Sequence, residues 1–284
     1  MADAVALVAA AAPAIDVRDA VGVEGGWDSF VLDTGEWIFK FPRRPEVARA
    51  LRAEIALLDA LAPALPLRAP RYEVVADRFA GYRKIAGEQL SHERQTEAAG
   101  RNLGTFLAAL HAFPVEAAVA AGLPATDWRG RQEALVAELE SRVSPLLDPG
   151  ERAAAHAAFT GFLSDDAAFD FERALIHYDL GPAHLLAGRD GRLLGVIDWG
   201  DAWVGDPAAD LAWALHGSTE PFARGVAATY PGVTESVAKR ALHYHRLGPW
   251  HEVVHGLENG DAAWVENGLA GVRARLRLEP GGDG

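Results

Sequence analysis

The feature that most constrains this chain is a pair of short apolar segments, each of which ends beside a side chain that can bind a cation. Arg173–His177 predicts a strand that ends just before Asp179, and Leu193–Ile197 predicts a strand that ends at Asp198. His184 lies between them in the sequence. Leu185-Leu186 and Leu193–Ile197 flank the turn Gly188–Gly191, and this hairpin would bring Asp179, His184 and Asp198 to one end of a sheet.

This arrangement is the one that phosphoryl transfer requires. One carboxylate can orient an acceptor hydroxyl and accept its proton. A second carboxylate and a further ligand can hold Mg²⁺ on the phosphates of a nucleotide. Taken singly, His177, Asp179 or Asp198 would be interpreted as strand-end or turn residues. Their joint spacing favours the catalytic interpretation.

An early strand and the helix after it carry a second candidate pair. Glu36–Phe41 predicts a strand in which Lys40 points away from the aromatic face. Glu46–Leu61 predicts an amphipathic helix that bears Glu54. A lysine on such a strand, followed by a helical glutamate, is the arrangement that fixes nucleotide phosphates in kinases. The alternative is that Glu54 is a solvated helix residue.

A glycine pair upstream of this strand is a weaker candidate for phosphate binding. Gly25 and Gly26 can form a tight turn whose amides cover phosphate, with Ser29 close by. The pair is not part of a G-x-G-x-x-G sequence. The chain also contains no G-x-x-x-x-G-K-[ST] sequence, which excludes a P-loop enzyme.

The chain divides into two predicted parts. Arg71–Ala76 and Phe79–Ile85 predict a further strand pair, Ala86-Gly87 predicts a hinge, and most of the chain beyond it is predicted to be helical. We therefore expect an N-terminal nucleotide-binding lobe over residues 1–86 and a C-terminal catalytic and substrate-binding lobe over residues 87–284.

Composition limits the kinds of molecule that this chain can bind and the cellular compartment that suits it. The formal net charge of -13 argues against a general nucleic-acid binder and suits a cationic substrate, although an acidic surface also aids solubility. No apolar run reaches the roughly 18 residues of a membrane span, and the N-terminal segment lacks the basic residues of a signal peptide. The absence of cysteine excludes disulfides and thiolate zinc sites, and we expect a cytoplasmic protein.

Beyond these local patterns, the chain resembles the aminoglycoside phosphotransferase superfamily over nearly its whole length. The resemblance rests on four motifs, Trp37–Arg43, Tyr82–Glu88, His177–His184 and Ile197–Leu211. His184 and a Phe-Pro-Arg-Arg sequence make the chain most similar to the aminoglycoside 2''-phosphotransferases and macrolide 2'-phosphotransferases. The resemblance implies an α+β, bilobal protein-kinase-like fold. Its N-terminal lobe would be an antiparallel sheet with a helix, and its C-terminal lobe would be mainly helical with a catalytic β-hairpin.

The same resemblance implies a role for each matched residue. Asp179 would be the catalytic aspartate, and His184 and Asp198 would be Mg²⁺ ligands. Lys40 and Glu54 would clamp the phosphates of the donor, which would be GTP or ATP.

Further matched positions would contact the base, contact the substrate or brace the structure. Arg83 and Ile85 would lie at the hinge that meets the base, and Asp201 would face the substrate. Asp206 and Asp210 would have structural roles, bracing the loop and capping the next helix.

The substrate is predicted from charge, and several alternatives stay open. An aminoglycoside is a polycation, so its pocket should be acidic. Candidates for that pocket are Asp201, Glu220, Glu252, Glu258 and Asp261. A macrolide pocket should be broad and apolar, and its candidates are Trp203, Trp213, Trp250 and Trp264. A kinase of a small metabolite hydroxyl and a pseudokinase that only binds its ligand are further alternatives. We favour an aminoglycoside, and the oligomeric state stays open.

Overall fold

An antiparallel sheet forms the N-terminal part of the molecule, which a computed structural model describes over residues 1–23 and 28–278. Its strands are β1 (Val21–Val23), β2 (Ser29–Asp33), β3 (Trp37–Pro42), β4 (Tyr72–Val75) and β5 (Ala80–Arg83). They pair in the order β1-β2-β3-β5-β4, and each strand is antiparallel to its neighbour. The strand predicted at Glu36–Phe41 is confirmed as β3, of the same length and shifted by one residue, and the strands predicted at Arg71–Ala76 and Phe79–Ile85 are confirmed as the shorter β4 and β5.

Helices make up most of the remaining structure. They are α1 (Ala2–Ala11), α2 (Pro45–Leu61), α3 (Glu97–His111), α4 (Val115–Ala120), α5 (Trp128–Val143), α6 (Pro149–Leu163), α7 (Ala208–His216), α8 (Glu220–Thr229), α9 (Glu235–Asn259) and α10 (Ala262–Leu276). Glycines let α3 and α8 approach closely, since a Cβ on Gly100 or on Gly225 would lie 2.1 Å from a backbone oxygen of the other helix.

The two faces of β3 have different environments. Trp37 and Phe39 are buried on one face with Phe79 and with Val8 of α1, so that α1 covers this side of the sheet. Lys40 points to the other face, where its amino group reaches α2. The predicted alternation of this strand is therefore confirmed.

Helix α2 packs on the Lys40 side of the sheet. It begins at Pro45, whose missing N–H costs nothing in the first turn. The buried face consists of Leu51, Leu57, Leu58 and Leu61, together with Glu54. A buried carboxylate is stable only with a partner that offsets its charge, so the position of Glu54 indicates an ion pair or hydrogen bond with the sheet.

Short strands around the end of the predicted hairpin complete the fold. They are β6 (Glu88–Gln89), β7 (Ala174–Ile176), β8 (Leu185–Ala187), β9 (Leu193–Val196) and β10 (Trp203–Gly205). β8 pairs with β6 and β9, and β7 pairs with β10, all antiparallel. The predicted hairpin is confirmed as β8 and β9, joined by the turn Gly188–Gly191.

The mixed architecture confirms the predicted α+β class, with an antiparallel N-terminal sheet and a helical C-terminal region. At the predicted hinge, Gly87 has φ +131, a conformation that side chains disfavour. The lobe boundary at residue 86 stays a prediction. Contacts cross it, because Arg68 exchanges backbone hydrogen bonds with Leu194 and Val196 of β9. Within the described ranges, no helix combines the length and apolar character needed to cross a lipid bilayer.

Candidate active site

A buried ion pair links the N-terminal sheet to helix α2. The Lys40 amino group lies 3.2 Å from Glu54 Oε1, and the Tyr72 hydroxyl donates a hydrogen bond of 2.8 Å to the same oxygen. Burial alone would favour neutral Lys40, but the charge of Glu54 and of nearby acidic groups raises its pKa well above the usual value. Lys40 is therefore held in place and charged.

Lys40 also connects this pair to the catalytic hairpin. Its amino group lies 2.9 Å from Asp198 Oδ1, across the cleft between the sheet and β9. The Lys40 charge lowers the pKa of Asp198 to about 2, against the opposing effect of burial. Asp198 has φ +65, so the strand end turns sharply and presents this carboxylate to the cleft.

His184 is oriented so that one ring nitrogen faces Asp198. Its Nδ1–H donates to the backbone carbonyl of Asp179 at 2.6 Å, which leaves the lone pair on Nε2. Nε2 lies 3.8 Å from Asp198 Oδ2. Two lone-pair donors at this separation, one of them oriented by a carbonyl, fit a shared cation.

The described residues contain no group of three or more His, Asp or Glu side chains arranged to hold a metal. A pair of protein ligands still suits Mg²⁺, because this ion usually takes one or two protein ligands and completes its shell with phosphate oxygens and water. The fit of His184 and Asp198 is therefore to a metal that arrives with a nucleotide.

Asp179 lies at the open end of the hairpin, and its side chain is 57% exposed. Burial by the cleft raises the pKa of Asp179, His184 opposes the shift, and Asp198 and Asp210 add to it. A carboxylate with a raised pKa is a better proton acceptor, which suits a group that must receive a hydroxyl proton.

A buried aspartate fixes the backbone that carries Asp179. Asp210 of α7 accepts hydrogen bonds from the backbone N–H groups of His177 and Tyr178, at 2.8 and 2.7 Å. Tyr178 has φ +69, a strained conformation that these bonds maintain. The ring of His177 donates from Nε2 to the Ile197 carbonyl at 3.0 Å and so ties the loop to the strand that ends at Asp198. Burial lowers the pKa of His177 to about 4, so the ring is neutral.

A second buried aspartate anchors the segment after the hairpin. Asp206 accepts two hydrogen bonds from the Arg240 guanidinium, at 2.7 and 3.3 Å, and one from the Tyr244 hydroxyl. It also accepts from the backbone N–H of Ala208 at the start of α7. Asp206 thereby joins α7, which bears Asp210, to α9.

Asp201 stands at the cleft opening beside the hairpin. Its surface is exposed to solvent. Partial desolvation by the surrounding protein, together with Asp179, Asp198 and Asp28, raises the pKa of Asp201 to about 6. Several carboxylates thus concentrate negative charge at the cleft opening, where a cation would be attracted.

A family model of known proteins matches residues 19–248 of this chain, and its description is the phosphotransferase enzyme family. The chain belongs to the phosphotransferase enzyme family. The predicted superfamily resemblance is thereby confirmed.

Individual relatives agree with this family and differ in substrate. Viomycin phosphotransferase of Streptomyces vinaceus is 28% identical over 192 residues, which span 66% of each chain, a little under two thirds. The structure of the GDP and kanamycin complex of APH(2'')-IIIa superposes with a TM-score of 0.88 at 27% identity, over 97% of this chain and 98% of that one. The macrolide 2'-phosphotransferase MphH of Brachybacterium faecium gives a TM-score of 0.75 at 25% identity, over 98% of both chains.

Of the residues predicted for the nucleotide site of this phosphotransferase, those that the structure describes lie in the sheet and at the hinge. Gly25 and Gly26 lie outside the described residues. Ser29 begins β2, opposite Pro42 of β3. The Arg83 side chain covers the Trp37 ring at 4.7 Å and is mostly exposed. Ile85 is buried where the chain enters the hinge. Their roles toward a nucleotide stay predictions.

One predicted substrate residue lies in the core, and two others have arginines nearby. Trp250 is fully buried and packs edge-on against Phe159, 5.1 Å between ring centroids, so the structure gives it a core role and does not support a substrate contact. Glu252 is half-buried on the side of α9 that faces Arg275 of α10. Glu220 is exposed at the start of α8 and pairs with Arg224.

The sequence patterns did not indicate two residues that contact this site. One is Tyr72, whose hydroxyl holds Glu54. The other is Arg131 of α5, whose guanidinium covers the rings of Trp203 and of Tyr178, the residue that precedes Asp179. Neither position belongs to a short motif, and each reaches the site only through the packing of distant elements.

Proposed function

We propose that this protein transfers the γ-phosphate of a nucleoside triphosphate to a hydroxyl of an aminoglycoside antibiotic. The observation that carries the proposal is the convergence of Lys40, Asp179, His184 and Asp198 at one end of the catalytic hairpin. Such a set can hold phosphates, a metal and an acceptor hydroxyl together, and positioning and charge neutralisation supply most of the catalysis in phosphoryl transfer. An intact set also argues against a pseudokinase.

Each residue has a distinct task in this mechanism. Asp179 orients the acceptor hydroxyl and accepts its proton as the new oxygen–phosphorus bond forms, while the bond from the γ-phosphorus to the β-phosphate oxygen breaks and the nucleoside diphosphate leaves. Lys40, fixed by Glu54 and Tyr72, neutralises charge on the donor phosphates. His184 and Asp198 would hold Mg²⁺, which when bound offsets the charge of the phosphate groups.

An aminoglycoside is favoured because the cleft opening is acidic. The carboxylates of Asp28, Asp179, Asp198 and Asp201 lie close enough for their charges to act on one another. Ammonium groups of an aminoglycoside would pair with the carboxylates that the metal and the hydroxyl leave free, Asp201 first. The kanamycin complex of a structural relative supports this choice.

A macrolide is the second candidate. Trp203 and Tyr178 form a half-buried aromatic surface beside Asp179, which suits an apolar ring. A macrolide 2'-phosphotransferase is also among the structural relatives.

We infer GTP as a donor because structural relatives hold GDP, although ATP stays open. We place the reaction in the cytoplasm, where these nucleotides and Mg²⁺ are abundant.

The test measures phosphate transfer by the purified protein. GTP and ATP are offered, singly and together, with kanamycin, gentamicin, viomycin, erythromycin and a simple alcohol, across a salt series. We expect transfer to an aminoglycoside, with a KM that rises with salt because partly exposed ion pairs are screened. Transfer to erythromycin alone, insensitive to salt, would move the protein to the macrolide candidate. Transfer only to the simple alcohol would favour a metabolite kinase.

A further inference from the structure

A cation packs against aromatic side chains of the two segments that carry Asp179 and Asp201, which together form one wall of the cleft. The guanidinium carbon of Arg131, on α5, is 3.9 Å from the centroid of the Trp203 ring and 5.3 Å from that of Tyr178. Tyr178 immediately precedes Asp179, and Trp203 follows Asp201 by two residues. Arg131 therefore stands beside the groups that would contact a substrate.

No protein acceptor satisfies this cation in the described part of the chain. Arg131 is half-buried, its guanidinium forms neither a hydrogen bond nor an ion pair with any described residue, and its Nε is fully buried without a partner. Glu138, on the same helix, pairs with Arg142. A guanidinium has five N–H donors, and leaving them unpaired in a partly desolvated wall is costly.

A second arginine on the same helix has the carboxylate partner that Arg131 lacks among the described residues. Arg129 also covers an aromatic ring, that of Phe169 at 4.4 Å, but its guanidinium pairs with Asp166 at 2.7 Å. The chain has 40 acidic residues against 27 lysines and arginines, so carboxylate partners are plentiful. Within residues 1–23 and 28–278, Arg131 therefore lacks a carboxylate partner in a chain where such partners are common.

Other unpartnered atoms gather at the same place. Among the described residues, buried polar side-chain atoms without a partner include Arg131 Nε, Trp203 Nε1 and Gln132 Oε1. Gln132 reaches the Tyr178 hydroxyl only through a long contact of 3.4 Å. Native proteins satisfy most buried polar groups, so this cluster of exceptions is unusual, although His177 Nδ1 and His243 Nε2 are unpartnered too. Arg131 Nε is itself closed to solvent, so a ligand would bind the outer NH2 groups of this half-buried guanidinium.

We propose that Arg131, supported by Trp203 and Tyr178, forms a subsite that binds an uncharged oxygen acceptor of the substrate, a hydroxyl or carbonyl, and excludes ammonium groups from this wall. The subsite rests on the proposed function and refines it. The cleft is acidic near Asp201 and cationic near Arg131. A substrate must therefore place its amines toward Asp201 and an oxygen-bearing face toward α5. A uniformly cationic molecule would fit this cleft poorly.

The experiment compares Arg131→Gln with Arg129→Gln, which removes a similar stacked guanidinium that has its own carboxylate partner. Transfer to kanamycin is measured by KM and kcat, and acceptor-independent nucleotide hydrolysis and thermal unfolding are measured alongside. We expect Arg131→Gln to raise the kanamycin KM about tenfold, the loss expected for a hydrogen bond to a charged group. Nucleotide hydrolysis should be unchanged, and Arg129→Gln should leave KM within about twofold of the wild type.

Arg131→Lys sharpens the result, because it keeps the charge but loses the planar fork of donors. We expect it to recover only part of the lost affinity. A KM that is unchanged or lower in Arg131→Gln, with wild-type transfer intact, would overturn the subsite and leave the proposed function standing. If the wild type hydrolyses nucleotide but transfers no phosphate to kanamycin, the aminoglycoside proposal fails and the subsite fails with it. The wild-type arm alone identifies that case.

Discussion

The two sides of the cleft differ in how completely their polar groups are paired. On the catalytic side, Asp210 accepts from two consecutive backbone N–H groups, and His177 ties the loop to the neighbouring strand. On the α5 side, the Arg131 guanidinium lies over the Trp203 ring, and neither Arg131 Nε nor Trp203 Nε1 has a hydrogen-bond partner in the described part of the chain. Among the described residues, the backbone of the Asp179 loop is held by acceptors within the protein and His177 Nδ1 is the one buried side-chain atom of that side without a partner, whereas the α5 side leaves Arg131 Nε, Trp203 Nε1 and Gln132 Oε1 unpaired.

This difference separates chemistry from recognition. A catalytic carboxylate must be held within a few tenths of an ångström of its working position, which requires a shell of satisfied hydrogen bonds around the Asp179 loop. Recognition needs donors that are free until the substrate arrives, because a donor already paired with the protein gains little from the ligand. Changes on the catalytic side should therefore lower kcat, and changes on the recognition side should mainly raise KM.

The largest effect is expected for the group at the centre of the catalytic side. Asp179→Asn removes the proton acceptor but keeps its shape, so we expect kcat to fall at least about 100-fold while kanamycin still binds. Steady-state transfer and calorimetric binding measure the two quantities. Asp190→Asn, in the exposed turn between β8 and β9, is the matched control. Activity near that of the wild type would refute the assignment of Asp179.

A smaller effect is expected from the residue that positions the loop. In Asp210→Asn an amide NH2 replaces one acceptor oxygen, so one of the two backbone N–H groups of the strained loop loses its partner. We expect kcat to fall about tenfold and the free energy of unfolding to fall by about 2 kcal/mol, with the KM for nucleotide nearly unchanged. A variant that loses stability but keeps the wild-type kcat would show that the loop does not need this brace.

The catalytic side was also the more predictable from the sequence. The hairpin follows from local alternation and turn glycines, which short segments determine. The Lys40–Glu54 pair was inferred from the arrangement that kinases use for nucleotide phosphates, together with the residues of the hairpin. The assignment of Trp250 to the substrate had no such basis, because the face that a residue presents depends on how α9 rotates against its neighbours. Arg131 was missed for the same reason, since its two aromatic partners lie more than forty residues away in the sequence.

The smallest effect is expected from the titration of Asp201 at the cleft opening. The pKa of Asp201 is raised to about 6, so the carboxylate is ionised at pH 7.5 and mostly protonated at pH 5.5. A neutral Asp201 no longer attracts an ammonium group, so kanamycin binding should weaken as the pH falls. If only the ionised form contributes, the Kd rises about fourfold between pH 7.5 and 5.5. Calorimetric titration over this range measures the change directly.

Asp201→Asn should remove most of this pH dependence and give a uniformly weaker Kd, because the amide has no charge to lose. Glu220→Gln is the matched control, since Glu220 is exposed and already paired with Arg224 on α8. The pH dependence should persist in that variant. The same slope in Asp201→Asn would assign the titration to another carboxylate of the cleft. A Kd independent of pH in the wild type would mean that the substrate amines do not contact Asp201. The substrate would then not be oriented between an acidic Asp201 side and a cationic Arg131 side.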